Sequence, residues 1–383
     1  MSTDLSTASE GPFVAAFAQA NEGDVSPNTA GARCIDTGKP CDLVHSICDG
    51  HASTCIAFGP GRDMFESTKI IASKQMQKAW ELFTTASEEL TGPVSFVHQF
   101  VDMTNISVRY QGRAGFTCKP AMGYSFAAGT TDGPGDFNFE QGTTEGSVLW
   151  NMVRSFLKTP SAQLEECHKP KPILFATGEI DHPLPWQPAI VETQILRIGQ
   201  LLIVALPGEF TTMSGRRIRN AVEKIASPHS NIHIALAGLS NVYSSYVATP
   251  EEYMLQRYEG ASTIYGPLTL PAYVQQYEKL ASALLQNQSL PPGPRPPNYL
   301  DEVTQLLPPV LLDTVPWGHK FGDVMLQPNS VYDKIDDVVT VRFHSANPRN
   351  NLRQNDTFLK VELYDNNTNT WTTRFTDANW ETK

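Results

Sequence analysis

The pattern of apolar and polar positions divides the chain into stretches of different period. From Glu66 to Leu90 the residues Ile71, Met76, Ala79, Trp80 and Phe83 recur at spacings of three to five, which predicts an amphipathic helix. Residues 93–112 carry Val94, Phe96, Val97, Phe100, Val101, Ile106, Val108 and Tyr110 and read as strand. Further on, LLIVAL at 201–206 is a short continuous apolar run, the mark of a buried strand, and it stops at Pro207-Gly208. The stretch MSGRRIRNAVEKIA then places Ile218, Val222 and Ile225 on one helical face, with the helix starting near Ser214. IHIALAGL at 232–239 is a second apolar strand. Strand, helix and strand together predict a right-handed βαβ unit with parallel strands. Ligands in such sheets collect at the carboxyl ends of the strands. Glu209 falls just past the first strand, and Tyr243 and Tyr246 just past the second, so the topology brings a carboxylate and phenols to one edge.

The segments between these elements predict the domain plan. Residues 11–62 are rich in Gly, Pro, Asn and Asp and read as loop. GYSFAAGTTDGPGDFNFEQGTTEG reads as a long solvated loop. PPGPRPP at 291–297 is a stiff polyproline-type linker. Beyond it, DDVVTVRFHSANP and TFLKVELYDNNTNTWTTRF alternate apolar and polar residues between Asn/Pro turns, the pattern of an all-β module of sandwich type. The expected plan is a partial α/β mixed-sheet catalytic domain over 1–290, the linker, and an incomplete all-β domain over 298–383. The last strand ends at Lys383 before a full set of strands is in place.

Composition narrows the function classes. The 383 residues carry 40 acidic against 29 basic side chains, a formal charge of −11. That balance argues against nucleic acid, whose phosphates need a basic footprint, and against a polybasic membrane anchor. No apolar run reaches the roughly 18 residues of a transmembrane helix. The opening MSTDLSTASEGP lacks the pattern of a signal peptide. The cysteines point the other way. Cys34, Cys41, Cys48 and Cys55 recur every seven residues, and Cys118 and Cys167 complete an even six. Zinc binding with His45 and His51 is the competing reading. Without CxxC pairs, a stapled, turn-rich loop fits better. Sequons begin at Asn105, Asn287, Asn355 and Asn366. Cysteines and sequons favour an extracellular or lumenal glycoprotein, whose true amino terminus would then lie upstream of this chain.

Five stretches carry a family resemblance: GPFVAAFAQANEGDVSPN, CKPAMGYSFAAGTTDGPG, CHKPKPIL, ALPGEFTTMSGRRIRNAV and GLSNVYSSYVATPEEYMLQRYEGASTIYGP. The chain resembles the neutral (non-lysosomal) ceramidases, zinc-dependent amidases that cleave ceramide to sphingosine and a fatty acid. The resemblance implies an α/β catalytic domain followed by an immunoglobulin-like β domain, a long-chain N-acyl sphingoid substrate drawn from a membrane surface, and an extracellular or cell-surface location. It implies a catalytic role for Ser26, zinc ligation by Glu209 and Tyr246, and a second active-site tyrosine at Tyr258. A calcium or magnesium site would use Asp377, Asn379 and Thr382, where Asn drops a charge and weakens binding. It also implies the disulfides Cys34–Cys48, Cys41–Cys55 and Cys118–Cys167.

The residues also have plainer readings. Asp-x-Ser-Pro-Asn around Ser26 is good turn chemistry without catalysis. Glu209 could face a helix start, and Tyr246 and Tyr258 could simply pack. His45 and His51 read as solvated loop residues, and Arg216 and Arg217 as a charged helix face. The family's two zinc histidines precede the GDVSPN serine, yet no histidine precedes Ser26 here. Two functions therefore stand side by side: a zinc-dependent ceramidase, and a non-catalytic relative that binds lipid or a partner.

Overall fold

The computed structural model describes residues 15–229, 231–303, 308–334, 337–353, 356–379 and 381–382. The chain divides into two compact units, 1–299 and 300–383.

The first unit is organised on a four-stranded sheet. Its order is His233–Ala237, Leu201–Ala205, Ile190–Ile198, Val94–Asp102. The first pair is parallel, with Leu202 opposite Ile234 and Val204 opposite Leu236; the other two pairs are antiparallel. The helix Thr212–Ala226 links the two parallel strands, so the βαβ unit forms, and it buries Ile218 and Val222. Its start is fixed by Thr211, whose hydroxyl accepts from the Ser214 N–H. The stretch 93–112 is two strands, Val94–Asp102 and Ser107–Tyr110, and the second pairs with Arg113–Phe116 instead of extending the sheet.

The helix Thr269–Leu285 closes the core. It buries 12 of its 17 residues, among them Tyr273, Tyr277, Leu280 and Leu284. These join Val191, Ile195, Leu202, Val204, Phe210 and Ile218 in one cluster. Strand alternation puts Val191, Thr193 and Ile195 on the covered face. Phe96 and Leu196 stand on the other face and are exposed. Pro291 and Pro292 are tied to the outer strand, where their carbonyls accept from Gln99 Nε2 and from the Phe100 N–H.

The expected helix at 66–90 runs from Met64 to Thr85 and is capped by Asp63, which accepts from the Glu66 N–H. It buries no residue: Met76, Trp80 and Phe83 are all exposed. The period is helical, but that face stays largely open to solvent.

The Gly-rich stretch is not a solvated loop. It holds a turn of helix at Tyr124–Ala127 and a tight hairpin of Gly129–Thr130 with Gly133–Pro134. Several of its hydroxyls are bonded to protein groups. Tyr124 donates to Asn151 Oδ1, Ser125 accepts from the Thr143 N–H, and Thr143 donates to the Glu140 carbonyl. Arg217 leaves the helix face to pair with Glu251 at 2.8 Å and to meet the Tyr110 hydroxyl. His45 bonds the Gln141 carbonyl at 2.8 Å.

All six cysteines are paired, Cys34–Cys48, Cys41–Cys55 and Cys118–Cys167. These are the pairs the resemblance implies, so the zinc reading of Cys34, Cys41, Cys48 and Cys55 with His45 and His51 gives way to two interlaced disulfides. Asn105, Asn287 and Asn366 are exposed; Asn355 lies outside the described residues. No helix among the described residues is long and apolar enough to cross a membrane. The second unit shows two antiparallel pairs, Val324–Leu326 with Arg342–Phe343 and Lys360–Asp365 with Thr370–Thr376.

Candidate functional site

The site forms where the parallel strands end. The strand Leu201–Ala205 runs into Pro207-Gly208, and the chain turns so that Glu209-Phe210 pairs in parallel with Tyr246-Val247, Glu209 directly opposite Tyr246. A side chain at position 208 would stand 2.4 Å from the Ser245 carbonyl oxygen, so only glycine lets the two segments close. Ser244 locks the turn, donating to the Pro207 carbonyl and meeting the Tyr273 hydroxyl at 3.0 Å.

Three phenols gather on Glu209. Tyr243 donates to its Oε1 at 2.6 Å. Tyr246 lies across from it, and the Tyr246 and Tyr258 rings meet edge-to-face at 5.1 Å. Burial first, and the Glu209 carboxylate second, hold the Tyr243 and Tyr246 hydroxyls well above the ordinary phenol range; Tyr258 is raised by the same two causes. All three are hydrogen-bond donors at neutral pH. Phe126 from the Gly-rich stretch stacks on Tyr258, and Gln141 Oε1 accepts from the Tyr258 N–H at 2.6 Å. Beside them lies a cavity of about 260 Å³, walled by Met122, Phe126, Trp186, Tyr243, Tyr246 and Tyr258.

The segment preceding Ser26 is stitched over this edge. Gln19 accepts from the Gly238 N–H, Gly23 donates to the Phe210 carbonyl, and Asp24 accepts from the Thr212 N–H at 2.6 Å and from its hydroxyl. A side chain at Gly23 would meet the Glu209 carbonyl oxygen at 2.7 Å. Ser26 then hydrogen-bonds Asp132 at 2.7 Å. Glu209, Tyr246 and Tyr258 thus gather at one edge, and the segment that leads into Ser26 is fixed on Phe210 and Thr212.

Tyr243 stands at the edge where the topology puts it, and two residues of this region escape the sequence reading. Asp132 lies in a stretch whose composition reads as a solvated loop. Glu22 is the second: both its carboxylate oxygens are buried without a hydrogen-bond partner. Burial raises its pKa, and Glu209 adds to the shift. An unpaired buried carboxylate is costly, and nothing in the pattern QANEG reveals that one lies here.

The donor set at this edge is all oxygen. The chain supplies the Glu209 carboxylate and the Tyr246 phenol, with the orphaned Glu22 carboxylate nearby. All are oxygen donors, whereas catalytic zinc usually takes three protein ligands with imidazole prominent. Among the described residues, the one group of three His, Cys, Asp or Glu side chains with metal-like spacing is Cys34, Cys41 and Cys48, already spent in disulfides. The residues present do not by themselves make a zinc site. In the second unit, Asp377 accepts from the Thr357 hydroxyl and the Phe358 N–H, Asn379 Oδ1 from the Thr376 N–H, and the Thr382 hydroxyl donates to the Thr376 carbonyl. Those side chains are engaged in turns.

Comparison with known proteins places this geometry. The mixed α/β fold is shared with solved neutral ceramidases. The family described as neutral/alkaline non-lysosomal ceramidase matches over residues 1–275 (N-terminal part) and 277–383 (C-terminal part). The chain belongs to this family. It is 49% identical over 381 residues to the neutral ceramidase of Oryza sativa subsp. japonica, covering 96% of this chain and 48% of that protein. It is 48% identical over 386 residues to neutral ceramidase B of Dictyostelium discoideum, covering 98% of this chain and 53% of that one. Among solved structures it resembles a ceramidase complexed with C2, with a TM-score of 0.72 and 36% identity over 86% of this chain and 51% of that one. The neutral ceramidase from Pseudomonas aeruginosa gives a TM-score of 0.69 and 34% identity, covering 84% and 49%. The chain spans about half the length of the relatives it matches.

Proposed function

We propose that this chain carries part of the site of a hydrolase that cleaves the amide bond of ceramide, releasing sphingosine and a fatty acid. The observation that carries the reading is the register pair of Glu209 and Tyr246, with Tyr243 and Tyr258 held as donors beside an aromatic-walled cavity. In that reading Ser26 acts at the acyl carbon. Tyr258, a donor at neutral pH, stabilises negative charge developing on the amide oxygen. The Gly-rich stretch holds Tyr258 through Phe126 and Gln141. Glu209 and Tyr246 would be this chain's share of the family's zinc ligands, and two oxygen donors alone would hold that metal weakly. Asp377, Asn379 and Thr382 would hold calcium or magnesium weakly. Paired cysteines and exposed sequons support an extracellular or cell-surface glycoprotein that meets ceramide at a membrane surface. The antiparallel pairs after residue 300 support an immunoglobulin-like β domain.

A second reading, a non-catalytic relative that binds lipid or a partner, is favoured by the all-oxygen donor set at Glu209. Turnover of a fluorescent ceramide by the purified chain, with saturating zinc and with chelator, separates the two. Hydrolysis that Ser26→Ala and Glu209→Gln abolish supports the enzyme. Binding of the lipid without turnover supports the relative.

A further inference from the structure

A serine hydroxyl has one proton and two lone pairs, and at Ser26 two of the three are already committed. The proton is donated to Asp132 Oδ1 at 2.7 Å. One lone pair accepts from the Asn28 N–H at 3.0 Å. A single lone pair remains, so Ser26 can act outward only as an acceptor or a nucleophile, never as a donor. Asp132 is itself fixed in place. It sits at the tip of the hairpin Gly129–Thr130 with Gly133–Pro134, its N–H donates to the Thr130 hydroxyl, and Oδ1 also receives the Asn28 side-chain amide at 2.8 Å. The hairpin is closed by the Gly135 N–H to the Ala128 carbonyl and anchored by Gln141, whose side chain donates to the Gly129 carbonyl. That same Gln141 accepts from the Tyr258 N–H, so one side chain sets both the hairpin that carries Asp132 and the helix that carries Tyr258.

We propose that Asp132 is the positioning residue of Ser26 and the acceptor of its proton, the two forming an acid–hydroxyl pair built from segments 106 residues apart. A hydrogen bond to a carboxylate is shorter and stronger than one between neutral groups, and it polarises the hydroxyl toward its remaining lone pair. As the Ser26 Oγ lone pair forms a bond to an acyl carbon, the carbonyl electron pair moves onto its oxygen and the hydroxyl proton passes to Asp132 Oδ1. When the tetrahedral centre collapses, the carbon–nitrogen bond breaks and the leaving amine takes that proton back. Water then releases the acyl group by the reverse sequence. The inference rests on the reading of Ser26 as the reactive hydroxyl, but it does not depend on any metal or on ceramide.

The test is covalent labelling of the full chain by a fluorophosphonate, followed by intact mass and peptide mapping. In that reaction the Oγ–phosphorus bond forms, fluoride leaves and the proton goes to Asp132. Wild-type protein should be labelled at Ser26, and Ser26→Ala should not. Asp132→Asn keeps the shape and the acceptor oxygen but loses the charge, and should label at least ten-fold more slowly. Asp132→Ala should be equally slow and should recover several-fold in added formate. Absence of label on wild-type Ser26, or labelling of Asp132→Asn at the wild-type rate, overturns the proposal. A slow Asp132→Ala that formate leaves slow marks Asp132 as merely structural and overturns it as well. Because neither ceramide nor metal enters the assay, failure to hydrolyse ceramide in the same preparations removes the functional reading and leaves this pair standing.

Discussion

Two helices of the first unit invite comparison. Met64–Thr85 has 22 residues and an apolar face of Met76, Trp80 and Phe83; Thr269–Leu285 has 17 and an apolar surface of Leu270, Tyr273, Tyr277, Leu280 and Leu284. The first buries nothing and the second buries 12 residues. Sequence period says which residues share a face, but burial needs a surface to meet that face. Thr269–Leu285 has the sheet and the helix Thr212–Ala226 against it, while the contacts made to Met64–Thr85, such as the Gly61 N–H to Ser67 Oγ, leave none of its residues buried. Helical propensity and capping hold the longer helix in shape; apolar burial, the larger contribution in most helices, is confined to the shorter one.

The difference can be broken or sharpened by substitution. The largest effect is expected on the covered helix, where Leu280→Ala should cost about 2–5 kcal/mol in denaturant unfolding, because Leu280 is fully buried and leaves a cavity. A loss below ~1 kcal/mol would mean that this helix is no more closely packed than its exposed counterpart. Next comes pH, acting on another buried part of the first unit. His168 is buried, with Nε2 on the Lys119 carbonyl and Nδ1 near the Tyr253 hydroxyl. Burial, then the Lys171 charge, push its pKa down to about 3. The folded state therefore resists a proton that the unfolded state accepts near 6.5. Stability from this group is complete above that value and falls as pH drops toward 3, by up to about 1.4 kcal/mol per pH unit. His168→Gln should flatten that part of the thermal-midpoint profile; an unchanged slope would contradict it. A smaller loss, ~1 kcal/mol, is expected for Tyr273→Phe, which removes the hydroxyl that Ser244 meets. Smallest of all, Trp80→Ser or Phe83→Ser should change unfolding by no more than about 0.5 kcal/mol. Either should lower binding of an apolar dye, since each removes exposed apolar surface. A large destabilisation there would show that the face is covered in solution.

The same contrast explains what could be read in the sequence. LLIVAL, the amphipathic MSGRRIRNAVEKIA and IHIALAGL announce the βαβ unit because each is a local pattern of one period. The helix that carries the core does not announce itself: TLPAYVQQYEKLASALL has a proline at its third position and apolar residues around most of its circumference. Strand Ile190–Ile198, central in the sheet, alternates only once its partners are known. At the site, Glu209 and Tyr246 followed from topology and from the family resemblance. Asp132 and Glu22 did not, because each owes its place to residues about 100 or more positions away, Asp132 to Ser26 and Glu22 to Phe210, whose carbonyl accepts from the Gly23 N–H. Gly-rich composition concealed a packed hairpin because flexibility in the unfolded chain and rigidity in a tight turn draw on the same residue.

The interlaced bridges near the amino end have a practical outcome for anyone handling the molecule. Cys34 joins Cys48 while Cys41 joins Cys55, so each ring is threaded by one end of the other in sequence. A protease that cuts anywhere between 35 and 54 leaves at least one bridge spanning the cut. Such a clipped chain would run as a single band without reductant and separate only when thiol is added. Arg257, next to Tyr258, donates to the Leu43 and Val44 carbonyls and to the Ser46 hydroxyl inside those rings. An intact-looking band on a non-reducing gel can therefore conceal a scission only one contact away from the site.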